Sequence, residues 1–275
     1  MNFLRIVNIL SLDVAIGTVV GSVFFSKLCN IPLFPIELVV LFITVWIIYT
    51  TDHLLDVIRL NRSASSLRHQ YHQRNFKLLF RLTKLAFITV LVMVYFMSQR
   101  VLLLGGLLAL LTLFYVLVQN RLRGLKELFG AALYMSGILL LPLSHLTKSL
   151  SFDVVVMIFQ FSTIVLLNLY LFAWYDKDGD QQDGHYSFAV NFGSKVTEKL
   201  LIGLFALEGI LLFVQWIWTP ATNNVTFLFV TMTSLLLFLF VKRTYWKINE
   251  RYRFLGDTVF LIPIIYVIMA NAQRF

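Results

Sequence analysis

Charged residues are scarce in this chain: Asp, Glu, Lys and Arg make up 13% of its 275 residues, whereas 59% of the residues are hydrophobic. Soluble domains carry about 25% charged and about 45 to 50% apolar residues, so water is excluded as the main solvent of this protein. Cysteine is almost absent too, because Cys29 is the single one. An internal disulfide framework and a cysteine-based zinc site are therefore excluded.

Long apolar runs recur along the sequence, with polar segments between them. Each run approaches the ~20 residues that a helix needs to cross the ~30 Å hydrocarbon core of a bilayer. The runs predict nine spans, at residues 4–25, 36–58, 82–98, 101–118, 128–144, 153–174, 200–218, 225–241 and 255–271. No A-x-A-like cleavage site follows the first run, which is expected to be a retained span. The predicted fold class is all-α, a polytopic membrane bundle forming one domain over residues 1–275.

Most of the 23 Lys and Arg residues fall in the loops after the second, fourth, sixth and eighth predicted spans. Because basic residues concentrate in cytoplasmic loops, the N-terminus is expected in the cytoplasm and the C-terminus outside, in a bacterial inner membrane. The net charge of +9 has the same origin, since such loops face anionic lipid. The lipid bilayer is therefore an expected partner and nucleic acid is not, and the chain is expected to be a monomer.

Two pairs of acidic residues stand at the predicted cytoplasmic ends of spans two and six. Asp52 and Asp56 are four residues apart, and so are Asp176 and Asp180. In a helix this spacing puts both carboxylates of a pair on one face, where they repel unless a hard cation lies between them. The pattern predicts a Mg²⁺ site shared by all four, although a solvated helix end explains either pair alone.

Basic residues on the same predicted side supply a complement to these acids. Guanidinium and ammonium groups bind phosphate oxygens well. The candidates for holding a diphosphate are Arg59, Arg68, Arg121, Arg123, Lys126 and Lys177.

The second acidic pair is followed by Gly184, Ser187, Ala189 and Gly193, in the spacing G-x-x-S-x-A-x-x-x-G. With the two acidic pairs and the nine spans, this segment resembles the UbiA superfamily of intramembrane prenyltransferases, of the 4-hydroxybenzoate polyprenyltransferase type. The resemblance implies Mg²⁺-dependent transfer of a prenyl group from a polyprenyl diphosphate to a lipophilic, in some members aromatic, acceptor, as in lipid or quinone biosynthesis. It also implies that Asp52, Asp56, Asp176 and Asp180 are the catalytic metal ligands.

The resemblance further implies an oily cavity whose aromatic faces shield a prenyl cation from water. Tyr49, Tyr115 and Tyr175 are candidates for lining it, although most rings in such a chain serve packing. Asn168 lies two turns before Asp176 and would face the same way, either to orient the acceptor or to bond a neighbouring helix.

Two departures from the family pattern keep other functions open. Ile48 stands where the family usually has Asn, and Gln119 where it usually has a basic residue. An inactive UbiA-like lipid-binding protein and a cation- or proton-coupled transporter are the alternatives. Transporters favour binding sites at mid-membrane. Asp13 and Glu208 are the only acidic residues expected at that depth.

His69 and His72 are three residues apart and could bind a metal, but a solvated basic loop explains them equally well. No third ligand has a matching spacing, so zinc is not predicted.

Overall fold

The computed structural model describes residues 3–60, 63–218 and 223–272. Within these ranges the regular secondary structure is helical. The α-helices are α1 (Phe3–Ile9), α2 (Leu12–Leu28), α3 (Pro35–Arg59), α4 (Leu67–Arg74), α5 (Phe76–Val94), α6 (Gln99–Val118), α7 (Lys126–Ser144), α8 (Phe152–Asp183), α9 (Phe188–Phe192), α10 (Ser194–Trp218), α11 (Asn223–Val241), α12 (Arg243–Lys247), α13 (Arg251–Thr258) and α14 (Ile264–Ala272). Short 3₁₀ turns follow α6, α12 and α13.

Seven helical segments of the described chain are long and apolar enough to cross a membrane. They are α3, α6, α7, α8, α10, α11 and the stretch from α12 to α14. The predicted all-α polytopic bundle is thereby confirmed, but the count of nine spans is not. The other two predicted spans correspond to α2, which has only 17 residues, and to α5, whose first half carries Lys77, Arg81 and Lys84.

Local sequence signals set where the long helices begin and end. Pro35 occupies the first turn of α3, where its missing N–H costs no hydrogen bond. Ser98 and Ser151 cap α6 and α8 by accepting the N–H of Val101 and of Val154, each at 3.4 Å. At the other end of α8, Gly184 takes a left-handed conformation with φ of 73° and stops the helix.

Helix α8 is the centre of the bundle. In the apolar stretch of α8 that could cross a membrane, 61% of the residues are buried, whereas in the corresponding stretch of α6 the share is 6%. Helix α6 therefore faces lipid. α8 contacts α7, α9, α10, α11 and α13. Because lipid is as apolar as the side chains, close packing rather than water exclusion holds such helices together. One region of that packing is a group of phenyl rings with neighbouring centroids at most 6.4 Å apart: Phe24, Phe25, Phe161 and Phe229.

Two glycines let α2 approach its neighbours closely. A Cβ at Gly21 would lie 3.1 Å from the side chain of Ile138 on α7, and one at Gly17 would lie 3.0 Å from Phe260. The G-x-x-x-G spacing therefore brings both α7 and the turn after α13 against α2.

The first predicted span is broken rather than continuous. α1 ends at Ile9 and α2 begins at Leu12, because Ser11 between them has a left-handed φ of 55°. Asp13 consequently lies in the first turn of α2, where its carboxylate accepts the N–H of Val14 at 2.9 Å. The N-terminus of α2 stabilises this carboxylate, which a continuous helix across residues 4–25 would not do.

Candidate active site

Asp52 and Asp56 lie one turn apart near the end of α3. Asp56 is buried, with 6% of its surface exposed, and its Oδ1 lies 3.6 Å from Nη1 of Arg59. Burying a carboxylate is costly unless cations or hydrogen-bond donors surround it. The neighbours of this pair therefore decide what the site can bind.

Gln119 is the hydrogen-bond donor to the first of these carboxylates. It directly follows α6 and donates from Nε2 to Oδ1 of Asp52 at 2.6 Å. The side chain is almost fully buried, and its Oε1 has no hydrogen-bond partner among the described residues. Sequence reasoning gave Gln119 no role. The available signal was its position, where the resemblance expects a basic residue, and the amide supplies a donor there without the charge.

Asp176 and Asp180 lie on a regular helix because α8 continues more than two turns beyond its predicted end at residue 174. Nη2 of Arg253 lies 2.8 Å from Oδ2 of Asp176, and the Tyr252 hydroxyl donates to Oδ1 of the same carboxylate. Both oxygens of Asp176 are thus engaged by α13. Arg253 was not among the predicted residues, since the sequence shows it only as one of several basic residues after span eight.

The acidic ends of α3 and α8 meet around Lys126, the first residue of α7. Lys126 interacts electrostatically with Asp52, Asp56 and Asp180. Asp56 also interacts with Asp180 across the two helices. Electrostatic interactions thus link three of the four predicted carboxylates to one partly buried ammonium group, with Asp176 one turn away on α8.

Histidines fill the space beside Asp56. Nε2 of His69 lies 3.8 Å from Oδ2 of Asp56, and Nδ1 of His185 lies 4.0 Å from its Oδ1. Burial, followed by the Arg253 guanidinium, lowers the pKa of His69 from 6.5 to about 3. Burial also lowers the pKa of His72 and His185. Burial thus favours the neutral form of all three imidazoles.

The interpretation of His69 and His72 as part of a solvated loop is wrong. Both residues lie on α4, whose N-terminus is capped by the Ser66 hydroxyl, and His72 is fully buried. Nδ1 of His72 lies 2.8 Å from the carbonyl oxygen of Arg68. The amphipathic pattern of α4 is too weak to reveal this burial from the sequence.

The six predicted diphosphate-binding cations fall into three groups. Arg59 and Lys126 lie beside the carboxylates, as described above. Arg121 and Arg123 are exposed, and Lys177 lies beside Asp178, a residue that pairs with Lys247 at 2.8 Å.

Arg68 is the remaining cation, and it lies in a separate buried cluster. Its Nη2 donates to the carbonyl oxygen of Asn8 at 3.1 Å and lies 3.4 Å from Oδ2 of Asp257. Nδ2 of Asn8 in turn donates to Asp13 at 2.5 Å and to Asp257 at 2.8 Å. Two carboxylates thus share one amide and one guanidinium, which ties α1, α2, α4 and α13 together.

The predicted cavity residues are mostly engaged with protein partners. The Tyr115 hydroxyl donates to the Lys126 carbonyl oxygen at 3.3 Å, and the Tyr175 hydroxyl donates to that of Leu239 at 2.7 Å. Tyr49 is half-buried on α3.

Asn168 is buried on α8, facing α13. A Cβ at Gly256 of α13 would meet the Asn168 Oδ1 at 2.7 Å, so the two helices are in close contact there. That Oδ1 has no hydrogen-bond partner among the described residues. Of the two expected roles, the interhelical hydrogen bond is thus not made by this oxygen, and orientation of an acceptor stays a prediction.

No protein-family model matches the sequence, and no curated protein matches it either. The structure is similar to two solved structures. One is the apo structure of a UbiA homolog from Aeropyrum pernix K1, with 15% identity and a TM-score of 0.66, covering 98% of this chain and 99% of that chain. The other, described as a digeranylgeranylglyceryl phosphate synthase in membranes, has 17% identity and a TM-score of 0.53, covering 94% and 96%. At such identities the likeness concerns the fold alone.

Proposed function

From the premise that this multi-pass membrane chain has the UbiA fold over nearly its whole length, we propose that it is a prenyltransferase acting within the membrane. The proposed reaction moves a prenyl group from a polyprenyl diphosphate to a lipophilic acceptor. The chain acts as a single domain and a monomer, with its site at the cytoplasmic face of a bacterial inner membrane. The observation that carries the proposal is the meeting of Asp52, Asp56 and Asp180 around Lys126.

The donor set fits a hard divalent cation. Carboxylate oxygens are the protein ligands that Mg²⁺ prefers, together with substrate phosphates. Asp52, Asp56 and Asp180 would hold the ion, whereas Asp176 is already bound by Arg253 and Tyr252. When bound, Mg²⁺ would supply positive charge to the leaving diphosphate.

The chain's own residues then have distinct tasks in the transfer. The allylic C–O bond of the donor breaks with both electrons leaving on the diphosphate, and the acceptor forms the new bond to carbon and gives up a proton. The Lys126 ammonium and the Arg59 guanidinium stabilise the negative charge that grows on the diphosphate. Gln119 holds Asp52 in place through its 2.6 Å hydrogen bond. Arg253 holds Asp176 and thereby the orientation of the end of α8.

The engaged state of Asp176 favours one alternative, a UbiA-like protein that binds an isoprenoid lipid without turning it over. In that case isoprenoid would copurify with the chain, and a labelled prenyl diphosphate would not be consumed. For a coupled transporter the expected signature is ion flux in liposomes without turnover.

The test is turnover of a labelled prenyl diphosphate by purified protein with Mg²⁺ and a membrane lipid extract. Asp52→Asn and Asp180→Asn should each lower turnover about 100-fold or more, because each removes a charge placed for the transition state. The matched control is Asp178→Asn, on the same helix, because the Asp178 side chain is 68% exposed and pairs with Lys247. Equal activity in all three variants would refute the proposed site.

A further inference from the structure

Four of the five histidines of the chain gather at one place. His53 comes from α3, His69 and His72 come from α4, and His185 follows α8. Ring centroids are 5.5 Å apart for His53 and His69, 5.0 Å for His53 and His72, and 5.7 Å for His69 and His185. The fifth, His145, pairs instead with Glu37 at 2.8 Å, after the far end of α7.

Asp56 supplies an anionic oxygen to this group. One ring nitrogen each of His53 and His69 and one oxygen of Asp56 lie within 4.8 Å of one another. His185 approaches the other oxygen of Asp56, with Nδ1 at 4.0 Å. Two imidazoles and one carboxylate from α3 and α4 therefore converge, and a third imidazole, from the segment after α8, lies beside the same carboxylate.

We propose that His53, Asp56, His69 and His185 form a site for a transition-metal ion of the zinc class, a centre distinct in chemistry from the carboxylate site for Mg²⁺. Imidazole nitrogen is a borderline ligand that suits zinc, copper, nickel and iron, whereas Mg²⁺ favours oxygen. Tetrahedral zinc with bonds of about 2.0 to 2.1 Å needs ligand atoms about 3.3 Å apart. The distances from Asp56 to Nε2 of His69 and to Nδ1 of His185 are 3.8 and 4.0 Å, and small side-chain rotations would shorten them to that spacing.

An unpaired nitrogen of His53 provides a second, independent observation. His53 is more than nine-tenths buried, and its Nδ1 has no hydrogen-bond partner in the described part of the chain. Its Nε2 lies 3.3 Å from the Ser11 hydroxyl, a contact that orients the ring and leaves Nδ1 available. A buried polar nitrogen without a partner is unfavourable, and ligation of a metal removes that cost.

The ligand count indicates what the ion does. Four protein ligands close a tetrahedral site and leave no position for substrate, which is the arrangement of structural zinc. The ion would join α3 to α4 and to the segment after α8, the three elements that carry or border the acidic pairs. Because Asp56 belongs to both donor sets, occupancy of the histidine site would withdraw this carboxylate from Mg²⁺. The inference does not depend on prenyl transfer.

The experiment is metal binding by purified, chelator-stripped full-length protein in detergent, with Zn²⁺ or Co²⁺ as the probe and without any prenyl substrate. We expect one equivalent of Zn²⁺ per chain by mass spectrometry of the metal, retained in a large excess of Mg²⁺. Bound Co²⁺ should show the intense visible absorption of a tetrahedral site. His69→Gln and His185→Gln should each weaken binding by more than about 100-fold, since even loss of an outer contact costs about 10- to 100-fold.

Two control variants make the result decisive. His145→Gln removes the histidine outside the group, and Asp52→Asn removes a carboxylate of the Mg²⁺ site alone, so both should keep their Zn²⁺. Thermal unfolding of each stripped variant verifies its folding. Zn²⁺ that Mg²⁺ displaces, or equal Zn²⁺ binding in all four variants, would overturn the site. Neither result would bear on the proposed prenyl transfer, which the turnover of the Asp52 and Asp180 variants tests.

Discussion

Two ion pairs of equal length join α8 to the last helical segment, and they differ strongly in burial. Arg253 lies 2.8 Å from Asp176, with side chains 15% and 18% exposed. Lys247 lies 2.8 Å from Asp178, with side chains 46% and 68% exposed. Removing one partner of a buried pair costs about 3 to 5 kcal/mol, because the other charge is left without compensation. Arg253→Gln should therefore destabilise the protein by about 3 kcal/mol, while Lys247→Gln should cost less than about 1 kcal/mol.

Thermal unfolding in detergent measures the difference. For domains of this approximate size, 1 kcal/mol corresponds to a shift in Tm of about 2 to 4 °C, so Arg253→Gln should lower Tm by about 6 to 12 °C. The shift for Lys247→Gln should stay below about 4 °C. Combining Asp176→Asn with Arg253→Gln should restore part of the lost stability, because the uncompensated charge of Asp176 is then removed. Equal shifts for the two single variants would show that burial does not govern these pairs.

Three further results are expected. Gln119→Leu should lower turnover about 10- to 100-fold, since a hydrogen bond to a charged group is worth about 1.5 to 3 kcal/mol, whereas Gln119→Lys should retain turnover. Folding lowers the pKa of His69 from 6.5 to about 3, so between these values the unfolded chain binds more protons than the folded one. The contribution of neutral His69 to folding stability is therefore complete above pH 6.5 and is lost as the pH falls. His69→Gln should reduce the drop in Tm between pH 7 and 5, measured with chelator present. Gly256→Ala should cost about 1 to 3 kcal/mol of unfolding free energy through overpacking, while Gly209→Ala, where a Cβ meets nothing within 4 Å, should be tolerated.

The sequence predicted those helices whose boundaries depend on an uninterrupted apolar run. The predicted spans 36–58, 128–144 and 225–241 agree within two residues with α3, α7 and α11. It failed where polar side chains find partners far away in the chain. Ser11 breaks the first span and Asn8 bonds Asp257, a contact across nearly the whole length of the protein that no local pattern encodes. The last span is similarly divided by the 3₁₀ turn at Val259–Leu261.

For the candidate site, the sequence revealed residues that repeat at helical spacing and missed those that converge only in three dimensions. The carboxylates of α3 and of α8 were visible because each pair is four residues apart. Gln119 follows α6, His185 follows α8 and Arg253 lies on α13, so their proximity to the acids depends on how these three helices pack. Spacing arguments reject a metal site when the ligands are distant in sequence, which is why the histidine group escaped prediction.

The charge around the carboxylates supports a cation-dependent reaction. When ionised, Asp52, Asp56 and Asp180 together carry three negative charges, whereas Lys126 and Arg59 supply two positive ones. Arg253 adds little, since its guanidinium is committed to Asp176, and Gln119 contributes a donor without charge. An anionic diphosphate would therefore approach a site with a net negative charge, and like charges in a poorly solvated site repel strongly. A divalent cation reverses that balance, so productive binding of a prenyl diphosphate here should require the metal first, and Gln119→Lys should lessen that requirement.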